Sequence, residues 1–172
     1  LGLGVACVLR AMTPAWPAAA VLLIGAASEI CGLYTGWPFG NYRYTGAWFP
    51  SVALPGGHFF PLPLPFAWLM MAAGSYLAAL KLGCGNWALA AGPAIATVAD
   101  IAMEPAATGP LGYWVWLGGD TIPGWLGAAP LMNSIGWFVT ALLGSLALRA
   151  VGVRQTDSPE PGLVVLAHAL LM

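Results

Sequence analysis

From Ala15 to Leu33 the chain carries one charged residue, Glu29, and the run is as long as a membrane crossing, which takes ~20 apolar residues. Such a segment admits few folds. In hydrocarbon every backbone polar group must be paired within the protein, and a single apolar run of this length does so as a helix. Similar runs recur at Pro61–Leu82, Trp87–Glu104 and Pro130–Ala150. Only 6% of the residues are charged and 60% are hydrophobic, against ~25% charged in soluble domains, too few to clothe a water-soluble surface. The sequence therefore predicts an all-α, polytopic transmembrane helix bundle forming one domain over residues 1–172, an integral membrane protein. The net charge of −1 excludes a basic nucleic-acid footprint.

Read in order, Leu1 to Met12 is the tail of a first helix, and Ala15–Leu33 is the first complete span. A loop rich in Gly, Pro and aromatic residues runs from Tyr34 to about Phe60. Pro61–Leu82 returns, Gly83–Asn86 is a tight connection, and Trp87–Glu104 runs antiparallel until Pro105 ends it. Ala106–Ala129, with Tyr113, Trp114, Trp116 and Trp125 among glycines, reads as a second interfacial loop. Pro130–Ala150 is another span, Arg154–Glu160 a solvated connection, and Gly162–Met172 the start of a further helix. The apolar runs at both ends are read as truncated, so the expectation is at least five to six spans.

Positive charge orients this threading. Arg10, Lys81, Arg149 and Arg154 fall on one side and only Arg43 on the other, so the first side is read as cytoplasmic and the Gly/Pro/aromatic loops as facing away from the cytoplasm. Cys7, Cys31 and Cys84 are spaced too widely for a CxxC pair and read as structural thiols. With His58 and His168 the only histidines, no metal site and no cofactor are expected.

The stretch Glu29–Gly46, EICGLYTGWPFGNYRYTG, matches no regular helix or strand. Its glycines and Pro38 specify a shaped loop. In the threading Glu29 lies about one turn from the loop end of its helix, Asp100 and Glu104 in the last turns of theirs, and Asn133 in the first turn of the next. All four share one layer with the Tyr- and Trp-rich loops. Asp100 and Glu104, spaced i, i+4, stack on one helix face. Two like charges so close are costly in a low dielectric, so at least one of the pair is read as protonated near neutral pH. Ionisable groups at this depth call for a functional explanation, with structural readings beside it. Glu29 either works chemically or pairs with Arg43 and pins the loop. Asp100 and Glu104 either react or cap their helix near Pro105. Asn133 either contacts a ligand, caps its helix or bonds to a neighbouring one. Asp120 reads as solvated and His58 as a turn residue.

These motifs resemble the membrane-integral carotenoid biosynthesis proteins that include the acyclic-carotenoid 1′,2′-hydratases and bisanhydrobacterioruberin hydratases. The likeness runs from EICGLYTGWPFGNYRYTG through LPLPFAW, Asp100-Ile-Ala-Met-Glu104-Pro105 and Trp114-Val-Trp116 to Pro130-Leu-Met-Asn133-Ser-Ile-Gly136-Trp137. It implies addition of water to the terminal C1=C2 bond of an acyclic carotenoid end group, in a bacterial or archaeal cytoplasmic membrane.

Hydrating a trisubstituted alkene needs an acid, a base and walls that tolerate a tertiary carbocation. Asp100, Glu104 and Glu29 are the candidate catalytic groups. Tyr34, Trp37, Phe39, Tyr42, Arg43, Tyr44, Trp114, Trp116, Asn133 and Trp137 are the candidate substrate-binding residues, the rings serving by cation–π contact. The partners expected are a carotenoid or similar long polyene and membrane lipids. The alternative is a non-catalytic carotenoid-binding subunit among other membrane pigment–protein subunits, its aromatic and methionine positions forming the groove and its carboxylates ordering the loop. A transporter is disfavoured because the carboxylates gather at one side and no half-helix repeat is visible.

Overall fold

Long alanine- and leucine-rich runs favour helix, and five helices form in the computed structural model, which describes residues 1–12, 16–118 and 129–153. They are α1 (Gly2–Ala11), α2 (Pro17–Thr35), α3 (Leu64–Lys81), α4 (Ala88–Thr108) and α5 (Leu131–Ala150). Three of them, α2, α3 and α5, are long and apolar enough to cross a membrane, which fits an integral membrane protein. The polar stretch 154–160, the helix expected at 162–172, and Asp120 and Trp125 lie outside the described residues.

The ends of α2 follow from local chemistry. Pro17 opens it, where a missing N–H costs nothing. Gly36 closes it at φ 74°, its N–H returning to Gly32 O at 2.8 Å; this left-handed cap suits glycine. Helix α3 is interrupted by a π turn at Leu69–Ala73, all five residues of which are buried. Regular α-helix resumes at Gly74.

Two expectations need correction. Pro105 does not end α4, which continues to Thr108 before Gly109. The proline removes only one ladder bond, close to the helix end where few remain to be lost, and Gly109 N–H still reaches Pro105 O at 3.1 Å. The chain is also not purely α. The two loops contain four short strands: β1 (Tyr42–Tyr44), β2 (Ser51–Leu54), β3 (His58–Pro61) and β4 (Trp114–Trp116). They form two antiparallel pairs, β2 with β3 and β1 with β4; in the second, Tyr42 faces Trp116 and Tyr44 faces Trp114. Loops at such a boundary still have to satisfy their backbone polar groups, and strand pairing does so.

The helices alternate in direction, so the C-termini of α2 and α4 meet the N-termini of α3 and α5 at one end, under the β1–β4 pair. Arg10, Lys81 and Arg149 mark the other end, where Arg149 Nη2 donates to Asn86 Oδ1 at 3.0 Å. Helix α5 packs against α4 and α2, and α3 against α4. The core is layered accordingly. The basic end is filled by aliphatic residues such as Val8, Val21, Ala72, Ala141 and Leu148. The other end is filled by rings: Phe39, Tyr42, Tyr44, Phe60, Trp68 and Trp114.

Candidate functional site

Glu29 is 5% exposed and stands on a face of α2 cleared by glycine. Gly25 and Gly32 lie one turn to either side. A Cβ at Gly25 would overlap the Trp68 side chain, and one at Gly32 would fall 2.9 Å from both the Phe39 ring and the Tyr42 hydroxyl. The bare backbone lets these rings reach the carboxylate. Tyr42 OH donates to Glu29 Oε2 at 2.6 Å, Tyr44 OH to the same oxygen at 2.9 Å, and Trp68 Nε1–H to Oε1 at 2.9 Å. Strand alternation explains the tyrosines: in Tyr-Arg-Tyr the first and third side chains point inward and Arg43 points out to solvent. Arg43 therefore does not pair with Glu29. Burial, and next the nearby Glu29 carboxylate, raise the Tyr42 and Tyr44 phenols above the usual range, so both stay protonated donors.

Glu104 repeats the arrangement on α4. In Trp114-Val-Trp116 the two indoles share a face, and their Nε1–H groups converge on Glu104 Oε1 at 3.1 and 2.6 Å. The two strands of the β1–β4 pair are thus each tied by two ring donors to one buried carboxylate. Asp100 lies one turn before Glu104 and accepts from Asn133 Nδ2 at 2.8 Å, a bond from α5 to α4. Glu104 Oε2 and Asp100 Oδ1 are buried with no protein partner.

Beside Glu29 opens a cavity of about 250 Å³. Glu29 and Asn133 supply its polar groups. Phe39, Tyr42, Tyr44, Trp114, Trp116 and Trp137 contribute rings to its wall. Asp100 and Glu104 stand behind that wall, reached through Asn133 and the paired indoles. Phe39 is held between two helices: a Cβ at Gly136 of α5 would fall 2.5 Å from its ring, opposite Gly32 of α2.

Three candidate residues are placed elsewhere. Tyr34 is about half exposed, donates to Pro55 O at 3.0 Å and packs edge-on against His58 at 4.8 Å. Trp37 is 61% exposed in a separate surface groove with Leu131 and Ile135, and Arg43 faces solvent. Conversely, Trp48, Tyr113, Trp68, Met70, Met71 and Met103 join the wall without having been singled out as site residues. Trp68 had a signal: it sits in the LPLPFAW run and is the indole that Gly25 makes room for. The methionines had a signal only in the non-catalytic reading, which makes the aromatic and methionine positions the carotenoid groove. Among the described residues no group of three His, Cys, Asp or Glu is arranged to hold a metal ion.

Fold and site together define a helical bundle, three of its helices long and apolar enough to cross a membrane, with a carboxylate facing an aromatic cavity at one end. The chain belongs to the carotenoid biosynthesis protein family, whose model matches residues 4–171. No curated relative and no solved structure matches it.

Proposed function

We propose that the chain is a hydratase that adds water to the terminal C1=C2 bond of an acyclic carotenoid end group. The observation that carries the reading is Glu29, a lone carboxylate facing a cavity otherwise walled largely by rings. A carboxyl group offers about four lone-pair sites. Three donors fill three of those on Glu29. The remaining site, on Oε1, can hold a proton without displacing any of them.

The balanced reaction follows from that atom. Glu29 in its acid form delivers its proton to C2 of the end group, and the π electrons leave C1 as a tertiary cation. The faces of Tyr42, Tyr44 and Trp68 and the new carboxylate stabilise that charge. Water adds to C1, and its proton returns to Glu29, leaving a tertiary alcohol. Asn133, with Nδ2 committed to Asp100, has its acceptor oxygen left to orient the water. Asp100 and Glu104 are assigned to proton supply and to holding the wall, each having one oxygen without a protein partner. No cofactor is required by this chemistry. The remaining topology belongs to the same proposal: five to six crossings, with the aromatic end away from the cytoplasm.

The test is incubation of the purified protein with an acyclic carotenoid in ¹⁸O-labelled water. Label in a 1-hydroxy product is expected; bound carotenoid with no labelled product overturns the enzyme reading.

One observation favours the alternative of a non-catalytic carotenoid-binding subunit. Two of the three donors on Glu29 and both donors on Glu104 come from the β1–β4 pair, which is what carboxylates that merely order the loops would do. Retention of stoichiometric pigment through detergent washing, without turnover, distinguishes it.

A further inference from the structure

The cavity lining falls into two chemical sets, and its apolar set takes no part in the chemistry above. Near Glu29 the wall is made of rings and polar hydrogens. The rest of the lining is apolar: Met70 and Met71 from the π turn, Met103 from α4, and Leu1, Leu64 and Ala67. Successive residues of a regular α-helix diverge by ~100°; the π turn distorts that spacing, and here two consecutive methionines both reach the cavity. Met70 and Met71 are buried, Met103 and Ala67 are half-buried and Leu1 is exposed, so this set forms a limb of the lining that extends from the interior to the surface. Helix α1 covers its flank by packing on the π turn, with Gly4 directly against the Met70 thioether. No charged side chain lines the limb.

Size adds a second constraint. About 250 Å³ lies below the ~300–1,000 Å³ of pockets that enclose a whole drug-sized ligand, so the cavity encloses a chain terminus and leaves the rest outside. Unbranched thioethers adapt to hydrocarbon of varied curvature.

We infer that the limb formed by Met70, Met71 and Met103 is the passage along which an isoprenoid chain runs from the cavity into the bilayer, so that the site reads one chain end at a time and these methionines set which chains are admitted. The inference rests on the carotenoid reading for its ligand class and is independent of whether turnover occurs. A chain with two equivalent ends must then leave and re-enter to be modified at both.

Photolabelling tests the passage in the intact protein. Two acyclic isoprenoid probes are used, one with a diazirine on the terminal unit and one with it in mid-chain. The terminal label is expected on Tyr42, Trp68 or Trp116, and the mid-chain label on Met70, Met71, Met103 or α1. Mid-chain label on the outward faces of α2 or α5, or on the rings around Glu29, overturns the inference. As a second measurement, Met103→Trp is expected to weaken probe binding by about tenfold and Met103→Leu by less than about twofold; equal affinities in both variants overturn it. The two proposals fail differently. The expected labels without hydration product sink only the hydratase reading, and product with mid-chain label elsewhere sinks only the passage.

Discussion

Trp68 donates its indole N–H to Glu29 across 39 residues of chain, and the bond exists because Gly25, one turn before Glu29, leaves the α2 backbone bare beneath the ring. Trp68→Phe keeps most of the ring and removes the donor. It is expected to cost about 1 kcal/mol of stability. Gly25→Ala places a methyl where the Trp68 side chain lies, and the overlap of ~1–3 kcal/mol outweighs or cancels the ~1 kcal/mol gained in helix propensity. Unfolding in graded denaturing detergent measures both, and a Gly25→Ala protein clearly more stable than the parent would remove the close-contact account.

The three carboxylates should separate by role. Glu29→Gln presents an amide to three donors and has no acid, so turnover is expected to vanish while the chain still binds isoprenoid. Asp100→Asn and Glu104→Gln are each expected to lower turnover ~10²-fold or more, and Glu104→Gln also to shift the emission of Trp114 and Trp116. Wild-type rates in both would confine the chemistry to Glu29.

Tyr42 and Tyr44 give a pH signature. Their folded pKa values lie above the unfolded one, raised first by burial and then by Glu29. Their contribution to stability is therefore fully present below the ordinary tyrosine pKa of ~10 and is lost as pH rises past it. Ultraviolet absorbance of phenolate is expected to show these two ionising only as the protein unfolds. The step should shrink in a Tyr42→Phe/Tyr44→Phe double variant; an unchanged step, or phenolate from these residues in folded protein, contradicts the burial argument.

Arg43 and Trp37 are the controls. Both face outward, so Arg43→Gln and Trp37→Ala are expected to alter stability by no more than ~0.5 kcal/mol and to leave turnover unchanged. A large loss of activity in Arg43→Gln would mean that it meets the substrate's exposed portion.

The convergence of Glu29, Asp100, Glu104 and Asn133 at one end was readable because helix length and alternating direction fix depth. What alternation of direction does not fix is azimuth, so it did not show that Asp100 and Glu104 stand behind the wall while Glu29 faces the cavity. The inward pairs Tyr42/Tyr44 and Trp114/Trp116 do carry the period of a strand, but three-residue strands are too short to stand out among glycines and prolines. Tyr34 and Trp37 looked like neighbours of Glu29 by number, yet Tyr34, five residues further along α2, lies on a different face of the helix, and Gly36 turns the chain before Trp37. Pro105 read as a stop because its missing N–H is local and visible in the sequence; the bonds that carry α4 past it are not.

The β1–β4 pair has a consequence for how the molecule is assembled. Two strands of three residues joined across a long stretch of sequence have little stability of their own, and their register is fixed by carboxylates on two different helices. A slip of one residue in either strand would turn both of that strand's ring donors outward. The pair therefore depends on α2 and α4 both presenting their carboxylates, so the cavity wall is completed by helix packing and not by strand pairing alone. Glu29 on α2 thus has a finished chamber around it only when the strand that follows α4 brings Trp114 and Trp116 into the wall.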